Sequence, residues 1–244
     1  KYKPPKEQAE ERDKKIKRID EFFKEAEAYT KASADDTNKP KPSPAWNAMM
    51  PALIGKTPIM VHANDLRQIK AAINWAKTRK YQIIIAGARD AWMCAELLAQ
   101  EKVPVIYDST FDLPAHDTDP YDIHFRAPSI LAKAGVRVSL SSKTGSWGTS
   151  KIRNLPYAAA QSAAHGLPHA DALKSITLYP AQTLGIAKHL GSLEAEKEAS
   201  FIAVNGDILD IRSNVKRMWI GGKETSLESR HTRLYEKYRK RPRP

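Results

Sequence analysis

His62, Arg89, Asp108 and Lys143 each stand directly after an apolar run of the chain: TPIMV, YQIIIAGA, VPVIY and VRVSLSS. Imidazole and carboxylate are the side chains that most readily ligate a divalent metal or carry a proton. A lysine serves as a base only where burial or neighbouring positive charge pulls its pKa down. Taken alone, His62 reads more simply as a satisfied or solvent-facing strand-end histidine. His116 and His124 fall in the segment DSTFDLPAHDTDPYDIHF, at a spacing that matches no common metal motif, and read as loop residues. The single cysteine, Cys94, excludes an internal disulfide and any CxxC metal site. Set among apolar residues at helical spacing in ARDAWMCAELLAQ, it reads as a buried structural thiol. No GxGxxG follows any apolar run, so nothing points to a dinucleotide site.

Something must hold those residues in place, and the period of the sequence says what. From Thr57 onward, short apolar runs rich in β-formers alternate with amphipathic helical stretches such as DLRQIKAAINWAKTR. Strand starts are expected near residues 58, 82, 103 and 136. Continuous apolar strands separated by helices predict a parallel sheet covered on both faces, hence an α/β fold. Such units build half a (β/α)₈ barrel or part of an open doubly wound sheet, and period alone does not separate the two. Beyond Lys151 the chain reads as short helices broken at Gly166-Leu167-Pro168 and at Pro180. SFIAVNGDILD, NVKRMWIGG and KETSL then predict a small antiparallel element, with turns at Asn205-Gly206 and Gly221-Gly222.

Ahead of these units, Lys6 to Ser33 predicts one charged helix with a narrow apolar stripe through Ile16, Ile19, Phe22, Phe23, Ala26 and Tyr29. ADDTNKPKPSPAW follows and reads as a linker or surface loop. The divisions are therefore 1–34, a charged helix; 35–50, a linker; 51–190, the β/α units; 191–227, a small β element; and 228–244, a basic tail.

Composition bounds the partners. In 244 residues, 41% are hydrophobic and 28% charged, and 40 Lys and Arg against 28 Asp and Glu give a net charge of +12. The basic residues mix with acidic ones along most of the chain and make no aromatic-interleaved basic motif. Solvated surface charge is therefore preferred to nucleic-acid binding. No window approaches the roughly 18 apolar residues of a membrane-spanning helix, so no membrane partner is expected.

The C-terminal part carries a specific resemblance. Thr177, Pro180, Ala181, Leu184 and Gly185 match a T-x-x-P-A-x-x-L-G pattern. Gly191, Ser192, Leu193, Glu194, Lys197 and Ala199 match the G-S-L-E-x-G-K-x-A-D turn that follows it. Together these resemble the end of the amidohydrolase superfamily, especially its imidazolonepropionase-like branch. The resemblance runs over roughly residues 50 to 225 and leaves the Lys6 to Ser33 helix outside. It implies the C-terminal half of a metal-dependent-hydrolase-type (β/α)₈ TIM barrel, strands five to eight, with a small β-sandwich element at the end. Strands one to four would belong to an N-terminal half not in this sequence. The activity implied is metal-dependent hydrolysis of a non-peptide C–N bond, an amide or cyclic amide, in a small-molecule substrate.

On that resemblance His62 coincides with the fifth-strand metal ligand, and the cofactor is a divalent metal, Zn or else Fe. Arg89, Asp108, Lys143, Arg153 and Asn154 become substrate-binding candidates around the barrel mouth, with Asp108 also a candidate base. Arg153 and Asn154 equally fit a role in fixing the loop to its helix. The sequence departs from the family at two places that matter. IIIAGARD ends the sixth strand without the second ligand histidine of many members. VSLSSKTG ends the eighth with Ser141, Ser142 and Lys143 where the superfamily has a metal-binding, proton-accepting Asp. These departures favour the alternative of an inactive barrel kept for binding or assembly. A half barrel would leave strand edges and an apolar sheet face open. Folding is thus expected with the missing half, by formation of a homo-oligomer, or with the Lys6 to Ser33 helix as a cover.

Overall fold

A computed structural model of the chain describes residues 4–35, 39–143 and 145–241, apart from the side chain of Trp147. Part of the expected linker, the start of the Lys-rich N-terminal stretch and the closing Pro-Arg-Pro of the basic tail lie outside the described residues. The chain divides into two compact units, one made of residues up to Ile59 together with Asn74–Ile83, the other of Met60–Ile73 and Ile84 onward.

The first unit opens on helix α1, Pro5–Ser33, in which Ala26 alone is buried. A second helix, α2, Pro44–Leu53, starts inside the stretch read as a linker. Its reason is local: Pro44 occupies the first helical turn, where its missing N–H costs nothing, and the Ser43 hydroxyl accepts from the Trp46 N–H. The Tyr29 hydroxyl of α1 donates to Asn47 Oδ1 at 2.9 Å and accepts from the Ser43 N–H at 3.1 Å, which fixes where α2 begins. Rings supply the packing that the narrow stripe of α1 lacks. Phe22 lies against Trp46 at 5.0 Å, and Phe23 against Trp75 and Tyr81 at 4.9 and 5.7 Å. Arg79, 14% exposed, bridges Asp20 at 2.8 Å and Glu27 at 3.0 Å, and the Tyr81 hydroxyl also donates to Glu27. Burial first and the Glu27 carboxylate second push the Tyr81 phenol up to about 12.

The chain then alternates β1 (Ile59–Ala63), α3 (Leu66–Arg79), β2 (Ile83–Gly87), α4 (Ala95–Gln100), β3 (Val105–Tyr107), α5 (Ile123–Lys133) and β4 (Val138–Leu140). The strands form one sheet in the order β1-β2-β3-β4, and β2–β3 and β3–β4 pair in parallel. Strand starts fall within a residue or two of those read from the sequence. β2 is buried throughout, as its unbroken apolar run demands. Ile69, Ile73, Ile84, Ile85, Leu98 and Val105 form the centre of this unit's core. Cys94 is buried, as expected, in a 3-10 turn that leads into α4.

Helices α6 (Gly145–Lys151), α7 (Leu155–Ala164), α8 (His169–Ser175) and α9 (Leu178–Thr183) follow β4. The Ser129 hydroxyl of α5 donates to the Gly166 carbonyl at 2.7 Å, closing the turn between α7 and α8. An antiparallel sheet, β5 (Phe201–Val204), β6 (Val215–Ile220) and β7 (Lys223–Thr225), comes next, with Phe201 stacked on Trp219 at 4.7 Å. The turn at Gly221-Gly222 stands where it was read. Asn205-Gly206 instead opens a longer excursion that closes when Asn205 Oδ1 accepts from the Asn214 N–H at 2.7 Å. Part of the basic tail is helical: α10, Arg230–Arg239, is started by a reciprocal cap between Ser229 and Thr232.

Candidate active site

In a parallel sheet the helix-leading loops gather at one end, and that end is where chemistry can be built. Here a cleft of about 140 Å³ opens at the ends of β3 and β4, and Asp108, Ser141, Ser142, Lys143 and Asn154 all line it. Thr110, Phe111, Asp112, Lys151, Leu155 and Ala158 complete most of its wall. A roomier cavity of about 340 Å³ lies at the opposite end of β4, between Ala132, Val136, Leu167 and Tyr179. Two of its polar groups already serve each other: the Tyr179 hydroxyl donates to Asp171 at 2.7 Å. We therefore place the site in the smaller cleft.

Asp108 is the titratable group of interest there. Burial raises its carboxyl above the usual range; the Lys143 ammonium and the Ser109 hydroxyl act in the opposite direction, and His62 exerts a weaker pull. His62, exposed one residue before the end of β1, therefore lies within electrostatic reach of Asp108. Lys143 is held by Asp112, its ammonium 2.6 Å from Oδ2.

The loop bearing Asp108, Thr110 and Asp112 is anchored from below by Tyr107, at the end of β3, and by His124, which reads as a loop residue in the sequence. Tyr107 is fully buried, and its hydroxyl lies 2.8 Å from His124 Nδ1. His124 Nε2 is 3.1 Å from the Leu113 carbonyl, which only accepts, so Nε2 carries the hydrogen and Nδ1 takes the one from Tyr107. Burial lowers the His124 pKa, in keeping with a neutral ring. His124 thus belongs to α5 and ties β3 to the loop; it does not lie in the loop itself. The visible clue was its position one residue into a helix, Ile123–Lys133, whose apolar face is regular.

Arg89 and Arg153 do not line the cleft. Arg89 donates through Nε to Asp90 at 3.0 Å, and Asp90, 2% exposed, also accepts from the Leu66 N–H at 3.2 Å. That arrangement fastens the corner after β2 to the start of α3. Ala88 sits in the left-handed region at φ 58° and Gly87 at φ 84°, so the corner is sharp. Arg153 is exposed. Asn154 occupies the N-cap of α7 yet makes no side-chain cap, which leaves its amide to the cleft.

Among the described residues, no group of three or more His, Cys, Asp or Glu side chains stands close enough to hold an ion. His62 offers one imidazole, whereas the end of β4 presents two serines and a lysine already engaged by Asp112. These residues by themselves do not fit a metal.

The sequence profile of the amidohydrolase family matches residues 2–225. The chain belongs to the amidohydrolase family. Because the match begins at residue 2, α1 lies inside it, which corrects the reading that left this helix out. The narrow apolar stripe misled, because α1 is held by aromatic rings and by Arg79 and not by a wide apolar face. The amidohydrolase tasK of Hapsidospora irregularis is 36% identical over 58 residues, 24% of this chain and 6% of that protein. An amidohydrolase structure from Thermotoga maritima superposes with a TM-score of 0.72 at 24% identity, over 85% of this chain and 54% of that one. An adenosine deaminase from Xanthomonas campestris with bound zinc superposes with a TM-score of 0.55 at 17% identity, over 90% and 60%. The chain therefore spans little more than half the length of these solved relatives.

Proposed function

We propose that the complete protein is a hydrolase of a non-peptide C–N bond, an amide or cyclic amide in a small molecule, of the imidazolonepropionase-like branch. The observation that carries this is the cleft at the ends of β3 and β4, which gathers Asp108, Lys143 and Asn154 within the family-matched residues. In this reading the sheet is strands five to eight of a (β/α)₈ barrel, and β5–β7 belong to a small β-sandwich. Two features support it. β1 and β4 are the edges of the sheet, which a barrel would close, and Met60, 45% exposed, shares with His62 a strand face that a barrel interior would cover. Half the length of the solved relatives is consistent with strands one to four lying in a separate stretch.

His62 would contribute one ligand to a divalent metal, Zn or Fe, with the remaining donors outside these residues. What the chain's own side chains do is orient and move protons. The partly desolvated Asp108 carboxylate accepts a proton more readily than a surface Asp and is the base proposed here. The Lys143–Asp112 pair fixes the wall opposite, and Asn154 offers an amide to the substrate.

Elemental analysis of the full-length protein and its His62→Ala variant, with turnover of a panel of lactams, cyclic ureas and dipeptides, tests the reading. Near-stoichiometric metal that falls in the variant, with hydrolysis of a cyclic amide, is expected. Absence of both sinks the proposal. The competing reading, an inactive barrel retained for binding, is favoured by the missing carboxylate at Ser141-Ser142-Lys143 and requires that His62→Ala leave every measured function intact.

A further inference from the structure

Over most of the chain acidic and basic side chains mix, but the segment from Arg230 to Arg241 departs from that pattern, with six Lys and Arg against Glu236 alone. It lies beyond residue 225, where the family match ends, so the hydrolase reading gives it no task. Most of it is helix α10, whose start is fixed by the reciprocal cap between Ser229 and Thr232. Every residue from Arg230 to Arg241 is exposed, so α10 buries neither of its faces against the rest of the chain. A short helix is marginal in water unless one face is packed, so a partner for that face would add to its stability. Arg230, Arg233 and Lys237 recur at steps of three and four residues and form a cationic stripe, with roughly 4.5–6 Å between successive charges along the axis. Leu234, Tyr235 and Tyr238 lie together beside it. The single carboxylate, Glu236, is engaged by Arg239 at 2.8 Å, which leaves the stripe its charge.

We propose that α10 is a binding element for a single-stranded nucleic acid. Arg230, Arg233 and Lys237 meet the phosphates, and the rings of Tyr235 and Tyr238 take bases by stacking. Regularly spaced cations on one helix face suit a chain of phosphates, and base–aromatic stacking tolerates any sequence because every base has a π-face. The Tyr238 ring already lies against the Arg241 guanidinium at 4.5 Å and the Lys237 ammonium at 5.8 Å, so ring and cations stand together as such a platform needs. Tyr235, 65% exposed, offers its ring to solvent. An anionic membrane would also attract this charge, yet an interfacial helix needs a broad apolar face to bury at the acyl boundary. Leu234 is the one aliphatic side chain of α10, and both of its aromatic rings carry a hydroxyl. A duplex would meet the cations but keep its bases stacked on one another, out of reach of the two rings.

The test is fluorescence anisotropy of a labelled oligouridylate of about twelve nucleotides, titrated with the full-length protein at several salt concentrations. Arg230→Gln, Arg233→Gln and Lys237→Gln together remove the stripe; Tyr235→Leu with Tyr238→Leu keeps apolar bulk and removes the rings. All five positions are exposed, and thermal melts check that both variants fold as the parent does. The parent should bind with an affinity that falls as salt rises. Each phosphate contact to a single strand steepens the plot of log affinity against log salt by about 0.7, so losing three contacts should flatten it by about 2. The tyrosine variant should bind at least about tenfold more weakly with its salt slope unchanged. A parallel titration with oligothymidylate assigns the strand: either polymer binding as described supports the proposal, and the tighter one identifies it as RNA or DNA. Absence of binding by the parent at about 50 mM salt overturns the proposal. So does an unchanged slope in the glutamine variant, equal affinity in the tyrosine variant, or a duplex of the same length bound as tightly as the single strand. Retention on vesicles of phosphatidylserine and phosphatidylcholine, with no affinity for either oligonucleotide, would overturn it in favour of a membrane surface. None of these outcomes depends on whether the protein turns over an amide.

Discussion

Asp108 shows how one residue's surroundings become a measurable pH dependence. Burial lifts its carboxyl above the ordinary 3.8, and Lys143 only partly offsets that. The folded state therefore holds this proton more tightly than the unfolded chain does. The sign follows: the contribution is most favourable below 3.8 and is lost as pH rises through the higher folded value. Asp108→Asn is expected to be more stable than the parent at neutral pH, with the gap closing in acid, as followed by urea melts across that window. If Asp108 is the base, the same variant should lose most turnover and the acid limb of the parent's rate profile should lie above 3.8. Residue types at strand ends made Asp108 and Lys143 visible in the sequence, since the apolar runs announce where each strand stops, and the family resemblance pointed to Asn154. Arg89 was equally well placed by the first signal, and Arg153 by the second. Yet the side chain of Arg89 turns to Asp90, and that of Arg153 stays exposed, because neither a strand-end position nor a resemblance dictates where a long side chain goes.

At the scale of elements, close approaches between backbones set the site. A Cβ on Gly148 of α6 would lie 1.3 Å from the Lys143 carbonyl oxygen, so only glycine lets this short helix rest against the cleft wall. Gly148→Ala should displace α6 and slow turnover of the cyclic-amide panel, with little change in melting temperature because most of α6 is exposed. Gly87 is a different case: its φ of 84° is joined by a Cβ position 2.4 Å from Asn64 Oδ1. Gly87→Ala is expected to cost roughly 1–3 kcal/mol in denaturant unfolding. In the first unit, Arg79→Met would leave Asp20 and Glu27 facing each other without their cation. A loss of roughly 1–3 kcal/mol is expected in a denaturation curve, below the range for fully buried pairs because about a third of each carboxylate side chain stays wet. The strands and most helices were legible because apolar runs and 3.6-residue spacing are strong signals. Helix α2 was hidden by its prolines, two of which, Pro44 and Pro51, lie within it. The cap on Ser43 that makes the first tolerable depends on a single local hydrogen bond.

For the whole molecule, periodicity gave a parallel sheet but left barrel and open sheet equal, because both repeat the same unit. The family match over residues 2–225 resolved the kinship. The turn at Gly191 is tight, for a Cβ there would press within 2.7 Å of Ala181. The two sheets also differ in kind. Amides of the parallel sheet, Val105 to the Arg137 carbonyl at 3.0 Å and Ser141 to that of Tyr107 at 2.9 Å, lie among fully buried strands. None of the strand residues in β5, β6 and β7 is buried, and that sheet depends on Phe201, Trp219 and the Arg217 guanidinium stacked 4.7 Å over the indole. Deuterium should therefore enter the molecule in two waves. The Met218 amide is expected to exchange well before that of Val105, through an opening that leaves the parallel strands closed, as mass spectrometry of the corresponding peptides would register. The antiparallel sheet would then be a separate cooperative unit, free to come and go on a timescale of its own while the cleft stays assembled.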